Sequence, residues 1–332
     1  MKKFISISLS FLFVLFFLAS CTTKPAAPKA GLAKSEDMLS LLPKEAMGVI
    51  VVDVHSIMKT EAADKAIKEN KDYQKYQEFV QKTGVDPQKD VFFFVGAALG
   101  DFSQKSEDGV GLVNLKYNKE LLLAAVQKER GELAKTEYNG FTIYQAAQTE
   151  EKKPFSGAFL DDSNIIIGTD SGVKKVIDVY QKKADNIWKN ETLPALIKGM
   201  NKAAMVWGGF AIPPEAMKQA SSQNPMLGAF SDIKSILMSF DYRNKNILVE
   251  IKAMSPDPEK NKQMAAALNG FKALGAGAAA KEPLLGELLN KIEISSEADH
   301  VKINASIPEE LLRNLSEKLK GEKAKPETEK QD

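Results

Sequence analysis

The most reactive side chain in this sequence is a lone thiol. Cys21 is the single cysteine among 332 residues. A thiolate is a nucleophile able to form a thioether, and one cysteine can close no disulfide within the chain. The two histidines, His55 and His300, stand far apart, and H-E-x-x-H, C-x-x-C and G-x-S-x-G do not occur. Each is expected to serve a surface or a cap. The densest run of oxygens is Asp161-Asp162-Ser163-Asn164, with Asp170 close behind. Ca²⁺ takes about six to eight oxygens, and the EF-hand spacing is missing. Asp and Asn are the residues that turns select, so the run is expected to be a hairpin turn followed by an Asp N-cap. Asp161, Asp162 and Asp170 are kept as candidates for an ion or a turn role. Gly275-Ala276-Gly277 with Lys281 lacks the Gly-Lys-Ser/Thr of a phosphate loop and reads as a helix end or loop of small residues. The second half is rich in methionine, including Met200, Met205, Met217, Met226, Met238, Met254 and Met264. They are spread over different elements and are expected to fill core, as are Trp188 and Trp207. No catalytic residue, metal or cofactor is expected.

The thiol has a particular neighbourhood. Lys2 and Lys3 open a basic segment, Phe4–Leu18 is apolar apart from Ser6, Ser8 and Ser10, and Leu18-Ala19-Ser20 supplies small residues before Cys21. This is the layout of a secretory signal. Its ending resembles the lipobox of bacterial lipoproteins. The resemblance implies cleavage between Ser20 and Cys21, lipid on Cys21, palmitate included, and a membrane as partner. One acyl chain holds weakly, and a second makes the anchor firm. Thr22 follows where Asp would favour inner-membrane retention in familiar Gram-negative lipoproteins. The expected place is therefore the cell envelope, with the periplasmic face of the outer membrane favoured in a Gram-negative source and the inner membrane kept as the alternative.

Charge and composition narrow the partners. The formal charge is +1, and loss of Lys2 and Lys3 brings it to −1. Such balance gives no electrostatic footprint for nucleic acid and no polybasic patch for anionic lipid. Without a disulfide, stability has to come from the core.

The elements follow from periodicity. Residues 1–20 are the signal, and 21–40 are the lipidated cysteine with a Pro- and Ala-rich tether. In 41–190, Met47–Val54, Val91–Leu99, Gly109–Tyr117 and Phe141–Ala146 read as strands, and Phe155–Thr169 as two more. Helices are expected after Ser56, Asn118 and Asp170, with Gly84 as a stop for one that carries Tyr76 and Phe79. In 191–320 the order repeats. Ala204–Ile212, Ile233–Tyr242, Ile247–Met254, Ile292–Ser296 and Val301–Ala305 are strands. Helices are expected from Ser255-Pro256 and Pro308, the last ending at Gly321, with 321–332 a disordered charged tail. Leu112-Val113-Asn114-Leu115-Lys116 matches Leu248-Val249-Glu250-Ile251-Lys252, each the third strand of its half. The body thus resembles a duplicated ferredoxin-like β-α-β-β-α-β unit, as in uncharacterised envelope proteins. That implies an α+β fold of two repeats, mainly antiparallel sheets with helices on one face, each with an extra strand and helix.

The anchor and the lack of catalytic constellations point to a non-catalytic binding or assembly module with an envelope protein partner. An alternative is a periplasmic carrier of an apolar ligand or lipid. A hydrolase working through Asp161 and Asp162 stands last.

Overall fold

The computed structural model describes residues 35–69, 73–100, 108–147, 154–223, 225–279 and 282–323. The chain divides into two units, Met1–Gly199 and Met200–Asp332. Residues 1–20 and the Cys21 end of the tether lie outside the described residues.

The first unit contains strands β1 (Ala46–Asp53), β2 (Val91–Leu99), β3 (Gly109–Leu115), β4 (Ala134–Tyr138), β5 (Phe141–Ala146), β6 (Phe155–Phe159) and β7 (Asn164–Gly168). Its helices are α1 (Ser35–Leu39), α2 (Val54–Met58), α3 (Glu61–Lys68), α4 (Tyr73–Thr83), α5 (Pro87–Asp90), α6 (Lys119–Arg130), α7 (Asp170–Tyr180) and α8 (Leu193–Gly199). The strands lie in the order β1-β2-β3-β7-β6-β5-β4, every ladder antiparallel.

Residues on alternate faces of this sheet meet different helices. Leu112 pairs with Ile166, both fully buried. Val110, on the same face, lies under α7, where a Cβ on Gly172 would come 3.0 Å from that of Val110. The buried stripe Val173, Val176 and Ile177 of α7 completes this layer. Val113 and Ile165 face the other way and pack with Leu122 of α6 against Phe79, Val85, Val91 and Leu115. Helices therefore cover both faces here, which corrects the one-sided layer expected from the sequence. Each large aliphatic side chain buried this way contributes about 1.5–3 kcal/mol.

The second unit contains β8 (Val206–Ala211), α9 (Pro214–Gln223), β9 (Ser235–Arg243), β10 (Asn246–Met254), α10 (Pro258–Ala278), α11 (Pro283–Asn290), β11 (Ile292–Ser296), β12 (His300–Pro308) and α12 (Glu309–Lys323). Its strands run β8-β9-β10-β12-β11, again antiparallel. Ile236, Ala253, Val301 and Ile294 occupy one face and pack on Met264 and Leu268 of α10. Asn269 Nδ2 and Lys272 Nζ of that helix donate to the carbonyls of Ile294 and Ile292. The outer strand of the unit's sheet is thereby shielded by its own helix.

A ferredoxin-like split β-α-β unit places another strand between the two strands that its helix joins. The observed ladders instead form an antiparallel meander of three strands, β1-β2-β3 and β8-β9-β10. The chain then leaves the third strand through a helix and returns so that its last strand pairs with that third one. The matching segments at Leu112 and Leu248 sit on β3 and β10, the same step of each path. Strand β4 was not foreseen, because Ala134–Tyr138 is mostly exposed and carries no apolar alternation.

Several local signals act one residue or more from where they were expected. Asp53, not Ser56, caps α2, its carboxylate accepting from Ser56 N at 2.8 Å. Asp257, with Pro258 behind it, opens α10 in place of Ser255-Pro256. The small-residue stretch from Gly270 stays helical through Ala278, and α12 runs past Gly321 to Lys323. Residues 324–332 of the expected tail lie outside the described residues.

Candidate functional site

The residues singled out for chemistry fall in separate places. Ser20 and Cys21 lie outside the described residues. Asp161 closes the β6–β7 turn. Its Oδ1 accepts from Ser163 N at 2.8 Å, and both carboxylate oxygens accept from Asn164 Nδ2, at 2.8 and 2.9 Å. Asn164 is fully buried and receives Asn114 Nδ2 at 2.8 Å. These bonds use Asp161 as a turn residue, while Asp162 stands exposed beside it. Asp170 is not the cap of α7. That role falls to Thr169, whose hydroxyl accepts from Gly172 N, and Asp170 takes Gln145 Nε2 at 2.7 Å and Lys174 Nζ at 2.6 Å. The lysine holds its carboxyl below the ordinary value, with a smaller opposing effect from burial. Among the described residues, no group of three or more His, Cys, Asp or Glu could hold a metal ion.

His55 lies in α2 with its ring centroid 5.3 Å from that of Phe92, and its Nδ1 is buried without a partner. His300 opens β12 beside Asp299, 2.6 Å away. Met200 and Met264 are buried, as expected. Trp207 is core, but Trp188 is 39% exposed.

The polar face of the second unit's sheet is the more developed site. Strand β12 alternates polar and apolar residues, as in His300-Val301-Lys302-Ile303-Asn304-Ala305-Ser306-Ile307, and β10 does so except at Leu248 and Met254. Period two sends the apolar set to α10 and the polar set to the opposite side. Register then arranges the polar set in rows across the strands. Ser239, Glu250, Asn304 and Glu293 form one row. Asp241, Leu248 and Ser306 form the next, and Arg243, Asn246 and Pro308 the last. Together with Asn201, Asn290 and Lys291 they line a groove of about 560 Å³. Small-molecule sites commonly fall between about 300 and 1,000 Å³.

The groove's central carboxylates are engaged. Glu250 receives Lys302 Nζ at 2.9 Å and Lys252 Nζ at 3.2 Å, one on each oxygen. Burial pushes the Glu250 carboxyl up, and the two ammonium groups outweigh it, leaving the group below its ordinary value. The Asp241 side chain, 9% exposed, takes Arg243 Nε at 2.6 Å and its neighbour Tyr242 N at 2.9 Å. Among the described residues, the side chains of Asn201, Asn290, Asn304, Ser239 and Ser306 form no hydrogen bond within the protein. The site therefore offers neutral groups that both donate and accept, set among paired charges. The alternation in β10 and β12 was the available signal for this face. Which rows come together depends on pairing partners that no local pattern reveals.

Among the described residues, no helix is long and apolar enough to cross a membrane. None of the curated proteins matches the chain. Its shape is similar to crystal structures of TP0453 at 11% identity. Form I has a TM-score of 0.44 over 85% of this chain and 96% of that one. Form III has 0.47 over 84% and 97%. A family model described as a protein of unknown function (DUF3352) matches residues 64–316, most of the sequence. The chain belongs to the DUF3352 family.

Proposed function

We propose that this chain is a lipid-anchored cell-envelope protein whose body works as a non-catalytic binding or assembly module. The observation that carries the reading is the polar sheet face of the second unit, where Asp241 and Glu250 are engaged by Arg243, Lys252 and Lys302. Carboxylates held this way suit recognition more than proton transfer, which needs a group free to exchange its proton near working pH. A carrier of apolar cargo is less well supported by this face, whose apolar side-chain lining is confined to a few residues such as Leu248. The hydrolase reading is the least supported, since Asp161 is occupied by the turn it closes.

The anchor rests on Met1–Cys21, with Ser20 as the last residue removed and Cys21 as the acylated one. Thr22 favours the outer membrane, facing the periplasm. The shared strand path of the two units, with matching segments on β3 and β10, supports an internal duplication. The testing experiment is labelling with radioactive palmitate followed by membrane fractionation. The parent should be labelled and sediment with membranes, and Cys21→Ala should lose the label and accumulate as precursor. Labelled Cys21→Ala, or an unlabelled parent in the aqueous fraction, overturns the reading.

A further inference from the structure

We infer that the groove on β9, β10 and β12 binds a neutral glycan, an oligomer of sugars bearing hydroxyl and acetamido groups. This rests on the binding-module reading and names its ligand class. Three features of the groove argue for it.

Charge comes first. Glu250 is held by two lysines and Asp241 by Arg243, while Lys291 and Glu293 bring one charge of each sign to the β11 side. These groups carry four positive and three negative charges, so an ionic ligand meets a net field of a single charge. A neutral one keeps these pairs intact and avoids leaving a partly buried charge alone, which is costly.

Chemistry comes second. Of the groove's side chains without internal partners, Asn201, Asn290, Asn304, Ser239 and Ser306 are amides or hydroxyls, and only Lys291 and Glu293 are charged. Each donates and accepts at once. Sugar hydroxyls and acetamido groups have the same dual character, so every bond the ligand loses to water can be replaced. A purely apolar ligand would strip water from these groups and return nothing.

Size comes third. Neighbouring strands stand ~4.8 Å apart and same-face residues ~6.8 Å apart, so three rows, the first of four strands and the others of three, give a patch roughly 14 Å long and about 10–14 Å wide. That is the reach of a short linear oligosaccharide, and the volume of about 560 Å³ accommodates one. The rows also hold the donors at fixed spacing on a sheet backed by α10, so little ordering is needed on binding.

The test uses the full-length protein in a detergent without a sugar headgroup and tri-N-acetylchitotriose as the probe, followed by calorimetry. Saturable binding is expected, insensitive to salt between low and physiological ionic strength. The double variant Asn304→Ala with Ser306→Ala should weaken it by about tenfold or more. Lys262→Ala, on the helix behind the sheet, should bind as the parent does. Thermal melting of both variants checks that the fold is kept, and should the double variant melt early, Asn304→Asp replaces it, with the same weakening expected. No binding at millimolar probe, binding unchanged by the groove variants, or equal binding of a Gly-Ser peptide or of a sugar phosphate overturns the inference. Palmitate labelling is independent of all of these. Loss of glycan binding with labelling intact refutes the ligand class, whereas glycan binding by an unlabelled protein refutes the anchor.

Discussion

Asn114 and Asn164 face each other across β3 and β7, and the amide nitrogen of the first donates to the amide oxygen of the second at 2.8 Å. Both are buried, 50 positions apart in sequence. Asn164 passes the connection on to Asp161, so the β6–β7 turn is tied to the middle of the sheet. Truncating Asn164 strands a buried donor and removes two bonds to a carboxylate. Asn164→Ala should cost about 2–3 kcal/mol of unfolding free energy. Urea denaturation of the single variants and of Asn164→Ala with Asn114→Ala should show the double falling short of the sum.

The candidate acids of the turn should behave unequally. Asp161→Ala removes the bonds from Ser163 and Asn164 and should destabilise by about 1–3 kcal/mol. Asp162→Ala, exposed beside it, should stay within about 0.5 kcal/mol. Neither calcium nor a chelator should move the melting temperature of the parent. A calcium-dependent rise abolished by Asp161→Ala would restore the ion-site reading.

Acid should release part of the second unit's stability through Glu250. Its folded pKa is depressed, burial opposing and Lys302 and Lys252 prevailing. The unfolded carboxyl titrates near about 4.3. The contribution of the pair is therefore present above that pH and is lost as pH falls through the lower folded value. Glu250→Gln should flatten the acid limb of stability against pH below about 4.3 while leaving the slope near neutrality unchanged. Chemical denaturation across that range reads the slope directly.

The β9–β10 hairpin turns on Asn244 and Lys245, both with positive φ, 50° and 59°. The equivalent two-residue turn between β4 and β5 uses Asn139 and Gly140, φ 51° and 80°. An L side chain in the left-handed region costs about 1–2 kcal/mol, which glycine avoids. Lys245→Gly should therefore stabilise by about 1 kcal/mol and raise the melting temperature. Gly168→Ala should do the opposite, since a Cβ there would collide with the backbone of Gly109 and Val110. About 1–3 kcal/mol is expected for such overpacking, read by thermal melting.

Much of the element content was legible along the chain. Alternation marked β10 and β12, Asn118 announced α6 by capping Leu121 N at 2.9 Å, and Gly84, at φ 68°, stopped α4. Pro213-Pro214 ended β8 and opened α9. These signals are short-range, because they depend on side-chain spacing and on which backbone angles a residue tolerates. Strand β4 escaped because its exposed Ala-Lys-Thr-Glu-Tyr buries almost nothing; pairing with β5 makes it a strand.

Residue order alone thus settled where most of the strands and helices lie and which face of many of them is apolar. It could not settle which strand lies beside which. β3 pairs with β7 and β10 with β12, contacts that close loops of about fifty residues. Such pairings are chosen by the burial of the whole sheet against its helices, a long-range sum that no window of sequence contains. The expected ferredoxin-like interleaving failed on that account. The groove arises from the same step, because Ser239, Glu250, Asn304 and Glu293 become neighbours once four separate strands take their register.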